Sequence, residues 1–190
     1  LEYKTLHEVQ HIIVLTKTMF KNVVLHANVD PQKISVIYNG VDTEKFKPDF
    51  KKRKKIRELY NVDDCFVILY PARIARYKNQ WLMIKVLNRL VNKGYKNVKV
   101  FFVGPISDMK YFNRLCNFIK KHNLEKLVIF KKAMYHEMPR YYLLADVVAL
   151  FSIYEGLPLV ILEAFSSGLP VIAYNNMIFL EIVKNGNTGF

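Results

Sequence analysis

Beyond residue 64, five short apolar runs rich in β-branched and aromatic residues recur: CFVILY (65–70), VKVFFVG (98–104), KLVIF (126–130), DVVALFS (146–152) and PVIAY (170–174). Each pair is separated by a longer stretch with helical spacing. A run that is apolar at nearly every position suits a strand covered on both faces. Strands alternating with helices build a parallel sheet with helices on either side. The intervening helices are expected over 78–93, closed by Gly94 just past the end, then over 108–123, 138–145, from Pro158 onward and over 179–185. The same alternation starts earlier, with strands in HIIVLT (11–16) and KISVIYNGVD (33–42) around a helix over 17–28 that ends before Pro31. The expected class is α/β, and the chain has neither an internal repeat nor a low-complexity tract.

With 190 residues, 52% of them hydrophobic, the chain can bury the core of one full domain and part of another, which excludes disorder of the low-hydrophobicity kind. Its best candidate for a membrane span is interrupted by Asp146, Glu155 and Glu163, so no apolar run is long enough to cross a bilayer. The first residue is Leu, and the last residues, NGNTGF, stop without a closing element, so the chain reads as a piece of a longer protein. Cys65 and Cys116 lack metal-type spacing and suit core positions in a reducing, cytoplasmic setting. The formal charge of +13 calls for an anionic partner, whether nucleotide, nucleic acid or anionic lipid. Its densest cluster, KPDFKKRKKIRELY (47–60), reads as a solvated basic helix start or a membrane-facing patch, and resembles an interdomain connection more than a core element.

In open parallel sheets, ligands bind beyond the carboxyl ends of the strands, near helix N-termini. Here that rim consists of PARIARYK (71–78), GPISD (104–108), KKAMYHE (131–137), SIYEGLP (152–158) and NNM (175–177). Its basic residues, glycines and carboxylate suit an anionic, hydroxyl-bearing ligand such as a nucleotide sugar. Pro158 is well placed at the first turn of a helix, which puts Glu155 in the loop above it and Glu163 in its second turn. Gly156 admits close backbone approach, and free amides around Leu159 and Val160 would favour an anion. Glu163 stands in an apolar helix, so it either reaches the rim to accept a ribose diol or is a structural acid with a buried partner. Arg73 and Lys78 can together neutralise a diphosphate, or can be plain surface charges, with Arg76 between them pointing to solvent. The histidines His7, His11, His26, His122 and His136 have no metal spacing, and no P-loop or GxGxxG turn is present. Ser166 and Ser167 lack the context of a nucleophile elbow, and the aromatics fall at core spacings instead of forming a stacking platform.

Taken together, FSIYEGLPLVILEAFSSGLPVIA resembles the E-x7-E region of the retaining GT-B glycosyltransferases of family GT4. VIYNGVDTEKF is similar to the turn that leads into their C-terminal domain, ARIARYK to their G-R-x4-K loop, and NGNTGF to the segment after their last donor-site helix. The resemblance implies a Rossmann-like parallel sheet forming the C-terminal half of a GT-B fold. Residues 1–42 would be the tail of the acceptor domain with its interdomain turn, and 43–190 the nucleotide-sugar-binding domain. It implies that Arg73 and Lys78 hold the donor diphosphate, that Glu155 contacts the sugar hydroxyls, and that Glu163 grips the ribose. The backbone from Gly156 through Leu157, Pro158 and Leu159 to Val160 would lie beside sugar and phosphates. The implied activity is sugar transfer with retention of configuration from a UDP- or GDP-linked donor, without a metal or other cofactor. The acceptor would be a glycan or lipid-linked molecule and the location the cytoplasm, including the cytoplasmic membrane face, with no nucleic acid partner. By itself the segment is expected to bind donor and transfer little sugar. A GT-B-type sugar-nucleotide epimerase and a basic nucleic-acid-binding domain are the alternatives. Three positions depart from the pattern: Ala72 precedes the arginine, Asn79 follows the lysine, and Met177 and Ile178 replace a glycine pair ahead of the acid Glu181.

Overall fold

In the computed structural model, which describes residues 5–190, the chain forms two parallel sheets. The first four residues of the expected N-terminal segment lie outside the described residues. After α1 (Thr5–Glu8) come β1 (Ile12–Val14), α2 (Lys17–Ala27) and β2 (Ile34–Val36). Strands β1 and β2 pair with Ile12 opposite Ile34. Thr16 leaves the ladder to cap α2, its hydroxyl accepting from the Met19 amide at 3.0 Å, which is why the strand is shorter than its apolar run. Asn28, at φ 50°, ends that helix. Ile12, Val14, Ala27, Val29 and Ile34 form a small core of their own.

The chain continues through α3 (Phe50–Leu59), β3 (Phe66–Pro71), α4 (Gln80–Asn92), β4 (Val98–Val103), α5 (Met109–Lys121), β5 (Val128–Lys131) and α6 (Met138–Leu144). Then follow β6 (Val147–Leu150), α7 (Leu159–Ser166), β7 (Val171–Ala173) and α8 (Met177–Ile182). The five later strands form one parallel sheet in the order β5-β4-β3-β6-β7. The central strands are the driest: all of β6 is buried, and Val67, Leu69 and Tyr70 in β3 are fully inaccessible. The sheet grows outward from β3 through β4 to β5, then returns across β3 to β6 and β7, so the order reverses between β3 and β6. This is the Rossmann-like α/β architecture expected from the sequence, and the reversal falls between the carboxyl ends of β3 and β6, the position at which sheets of this class bind ligands.

The basic stretch is no mere connection. Asp49 caps α3 by accepting from the Lys52 amide at 2.9 Å, and the helix packs on α6. Its cations are divided by helical spacing. Arg53 and Arg57, one turn apart, both reach Asp146 at the head of β6, at 2.7 and 3.2 Å. Arg57 is buried and also donates to the carbonyls of Leu144, Val62, Asp63 and Cys65. Lys51, Lys52, Lys54 and Lys55 remain exposed. Composition alone hides this split, since a guanidinium can satisfy a cluster of orphan carbonyls that an ammonium cannot.

At the other end, α8 starts two residues before its expected position because Asn176 caps it, accepting from the amides of Ile178 and Phe179. The final NGNTGF then returns to the sheet and ends parallel to β7, with Phe190 donating to the Val171 carbonyl at 2.9 Å and Ala173 donating to the Phe190 carbonyl at 2.8 Å. A Cβ on Gly189 would stand 2.0 Å from the Val171 carbonyl oxygen, so this approach requires glycine. Cys65 and Cys116 are both half-buried.

Candidate functional site

The loops leaving β3 and β6 meet where the strand order reverses because Tyr70 fastens one to the other. From its buried position near the end of β3 its hydroxyl donates to the Lys78 carbonyl and accepts from the Phe151 amide at 2.8 Å. Burial pushes that hydroxyl well above its ordinary pKa, so it keeps the proton that it donates. A second backbone bond, Ile153 to the Tyr77 carbonyl at 2.8 Å, completes the join. Between the loops, Asn79 takes φ 54°, a left-handed conformation that asparagine tolerates, so the departure from glycine there is absorbed.

Of the residues singled out in the sequence, Lys78 and Glu155 are brought into contact. The Lys78 ammonium lies 2.5 Å from a Glu155 oxygen, with the two side chains only 15% and 11% exposed. Arg73 stands exposed at the same strand end, and its guanidinium has no partner among the described residues. Its carbonyl is held by the Gln80 side chain at 2.8 Å. Arg76 turns outward to Asp108 at 3.1 Å, its side chain 72% exposed, in keeping with the solvent position expected for it.

Beyond Glu155 the chain passes Gly156 and the buried Leu157 and Pro158 into α7. The first bond of this helix is Ile161 to the Pro158 carbonyl at 3.1 Å, and no side chain caps its start. Among the described residues the amides of Leu159 and Val160 therefore have no partner, and the helix dipole adds to them.

Glu163 is 5% exposed, and its carboxylate accepts a 2.5 Å hydrogen bond from Tyr142 of α6. Burial raises its pKa, and the Tyr142 bond and the nearby Lys45 charge only partly offset this. The Tyr142 hydroxyl, which also lies 3.3 Å from the Val160 carbonyl, is itself pushed up by burial and by the Glu163 charge. Glu163 thus has the buried partner that one of its two sequence readings required.

Sequence reasoning missed Tyr70 and Tyr142. The available signal was a tyrosine in a segment expected to be buried, Tyr70 at the end of CFVILY and Tyr142 after Tyr141 in MPRYYLLA, since a buried hydroxyl needs a partner. Among the described residues no three His, Cys, Asp or Glu side chains gather as metal ligands. Chemically, Arg73, Lys78 and the two helix-start amides can pair with an anion, and the carboxylates of Glu155 and Glu163 can accept from hydroxyl donors.

Comparison with known proteins gives a consistent result. The family model described as "Glycosyl transferases group 1" matches residues 51–190, and that of "Glycosyltransferase Family 4" matches residues 1–45. The chain is 36% identical over 169 residues to UDP-Gal:alpha-D-GlcNAc-diphosphoundecaprenol alpha-1,3-galactosyltransferase of Escherichia coli, covering 85% of this chain and 42% of that enzyme. It is 33% identical over 169 residues to D-inositol 3-phosphate glycosyltransferase of Paenarthrobacter aurescens, covering 87% of this chain and 41% of that one. Among solved structures, HepE of Anabaena in complex with UDP superposes with a TM-score of 0.88 at 25% identity, covering 96% of this chain and 49% of that one. The chain spans about half the length of the relatives it matches.

Proposed function

Because the chain belongs to the family of group 1 glycosyl transferases, we propose that it carries the nucleotide-sugar donor site of a GT-B enzyme that transfers a sugar with retention of anomeric configuration. The observation that carries this reading is the Lys78–Glu155 pair at the point where the strand order reverses, 2.5 Å apart and nearly dry. A low-dielectric ion pair beside unpaired amides is a place where an incoming anion can displace a carboxylate.

On donor binding, Lys78 would pass from Glu155 to the diphosphate, joined by the forked guanidinium of Arg73 and by the amides of Leu159 and Val160. Glu155, released, would accept from the sugar hydroxyls alongside the backbone from Gly156 through Leu157 and Pro158. Glu163, oriented by Tyr142, would accept from the ribose. These groups would stabilise the departing diphosphate by position and charge without a metal. Residues 1–42 are assigned to the tail of an acceptor domain and 43–190 to the donor domain. A nucleotide-sugar donor is supported by a relative named for UDP-Gal and a structural neighbour solved with UDP. A lipid-linked acceptor on the cytoplasmic membrane face is supported by that relative's diphosphoundecaprenol name and by the exposed lysines of α3.

Calorimetric titration of the chain with UDP, GDP and their sugars tests the site. Glu163→Ala and Arg73→Ala should each weaken binding about tenfold or more. A wild type that binds no nucleotide, or variants that bind as it does, would sink the assignment.

A further inference from the structure

Glu181, on α8, is tied to parts of the chain more than 140 positions away. One carboxylate oxygen accepts from the Lys17 amide at 2.7 Å and the Tyr38 hydroxyl at 2.5 Å. The other accepts from the Thr18 amide at 3.1 Å and the Thr18 hydroxyl at 3.0 Å. The two amides belong to the first turn of α2, where helix geometry leaves donors unpaired and the dipole favours negative charge. Burial alone would raise this carboxyl, but the bonds from Tyr38, Lys17 and Thr18 outweigh it and hold the pKa below its ordinary value.

The turn so held lies against the donor loop. A Cβ built on Gly156 would sit 4.0 Å from Leu15 Cδ1, and the Asn39 side-chain amide reaches the Leu157 carbonyl at 3.5 Å. Glu155, next to Gly156, is the residue placed above beside the donor sugar. Among the described residues, the side chains placed on the nucleotide, Glu163, Arg73 and Lys78, make no hydrogen bond or ion pair with this turn.

Resting on the donor site proposed above, we infer that Glu181 is a positioning residue that presses the Leu15–Thr18 turn onto the Glu155–Leu157 loop and thereby selects for the sugar part of the donor. Without it the turn lifts, the sugar loses the loop that frames it, and the nucleotide keeps its contacts.

The test is the ratio of affinities for UDP-glucose and UDP, measured by calorimetry on the chain carrying Glu181→Ala. UDP-glucose should bind about tenfold more weakly while UDP changes less than about twofold. Tyr38→Phe removes one donor only and should give a smaller loss in the same ratio, which covers the case of a Glu181 variant that does not fold. Equal weakening of both ligands, as a merely structural role would produce, or no change in either, overturns the inference. A wild type that binds neither ligand overturns the donor reading and the selectivity with it. The clasp is then judged separately by hydrogen exchange. The Lys17 and Thr18 amides should exchange faster in Glu181→Ala while that of Met19, held by Thr16, does not, and unchanged exchange at all three overturns the clasp.

Discussion

Glu163, the proposed acceptor for the ribose, is held at a cost to stability. Its pKa is raised from an ordinary value of 4.5, chiefly by burial. A carboxyl whose folded pKa is raised contributes stability below that ordinary value and loses it as pH rises through the folded one. Near neutral pH the ionised group therefore weighs against the fold, although Tyr142 partly compensates at 2.5 Å. Glu163→Gln keeps an acceptor for Tyr142 and discards the charge. It should melt at the same or a higher temperature than wild type near pH 7 and lose that advantage below about pH 4.5, while binding nucleotide more weakly. Thermal melts across this range check the sign, and a variant destabilised at neutral pH contradicts it. At this scale the sequence was informative about chemistry but not about contact. The carboxylates and cations could be named from their setting, yet only the folded chain joins Lys78 to Glu155 and gives Glu163 its tyrosine.

Among the elements, strands and helices were legible wherever periodicity and capping agreed. Asp108 accepts from the Tyr111 amide at 2.9 Å and starts α5 where the sequence places it, and Gly94 follows α4 at φ 96°. The basic helix α3, which resembled a connection more than a core element, has a composition that hides its function. Arg57 satisfies carbonyls from two loops at once, so Arg57→Ala should leave buried acceptors unpaired and cost about 3 kcal/mol. Arg57→Lys should recover less than half of that, because a point charge cannot span the cluster. Urea denaturation reads both, and a loss below about 1 kcal/mol in Arg57→Ala would refute this account of α3. Gly189 teaches the complementary lesson: its need for a bare Cα comes from Val171, which lies 18 residues earlier in the chain but directly beside it in space.

At the scale of the whole molecule, part of the formal charge of +13 gathers on the exposed side of α3. Lys51, Lys52, Lys54 and Lys55 point away from the core on a helix that also exposes Phe50 and Leu59. The proposed membrane-face location predicts co-sedimentation with vesicles containing anionic lipid and not with neutral ones. Binding should be lost above about 0.5 M salt and reduced at least fivefold when these four lysines become glutamine. Equal binding to neutral vesicles, or none to anionic ones, would reject this surface. The described residues contain no helix long and apolar enough to cross a membrane. What the sequence determined by itself was local and periodic: which segments are strands, which are helices, that the sheet is parallel, and which residues carry charge to its carboxyl edge. The tertiary structure alone decided the strand order β5-β4-β3-β6-β7, hence that the loops after β3 and β6 lie side by side, and that Glu181 reaches back to α2. The reason is physical. Side-chain periodicity is written within a few residues of chain, whereas strand order and long-range pairing follow from how whole elements bury their faces against one another.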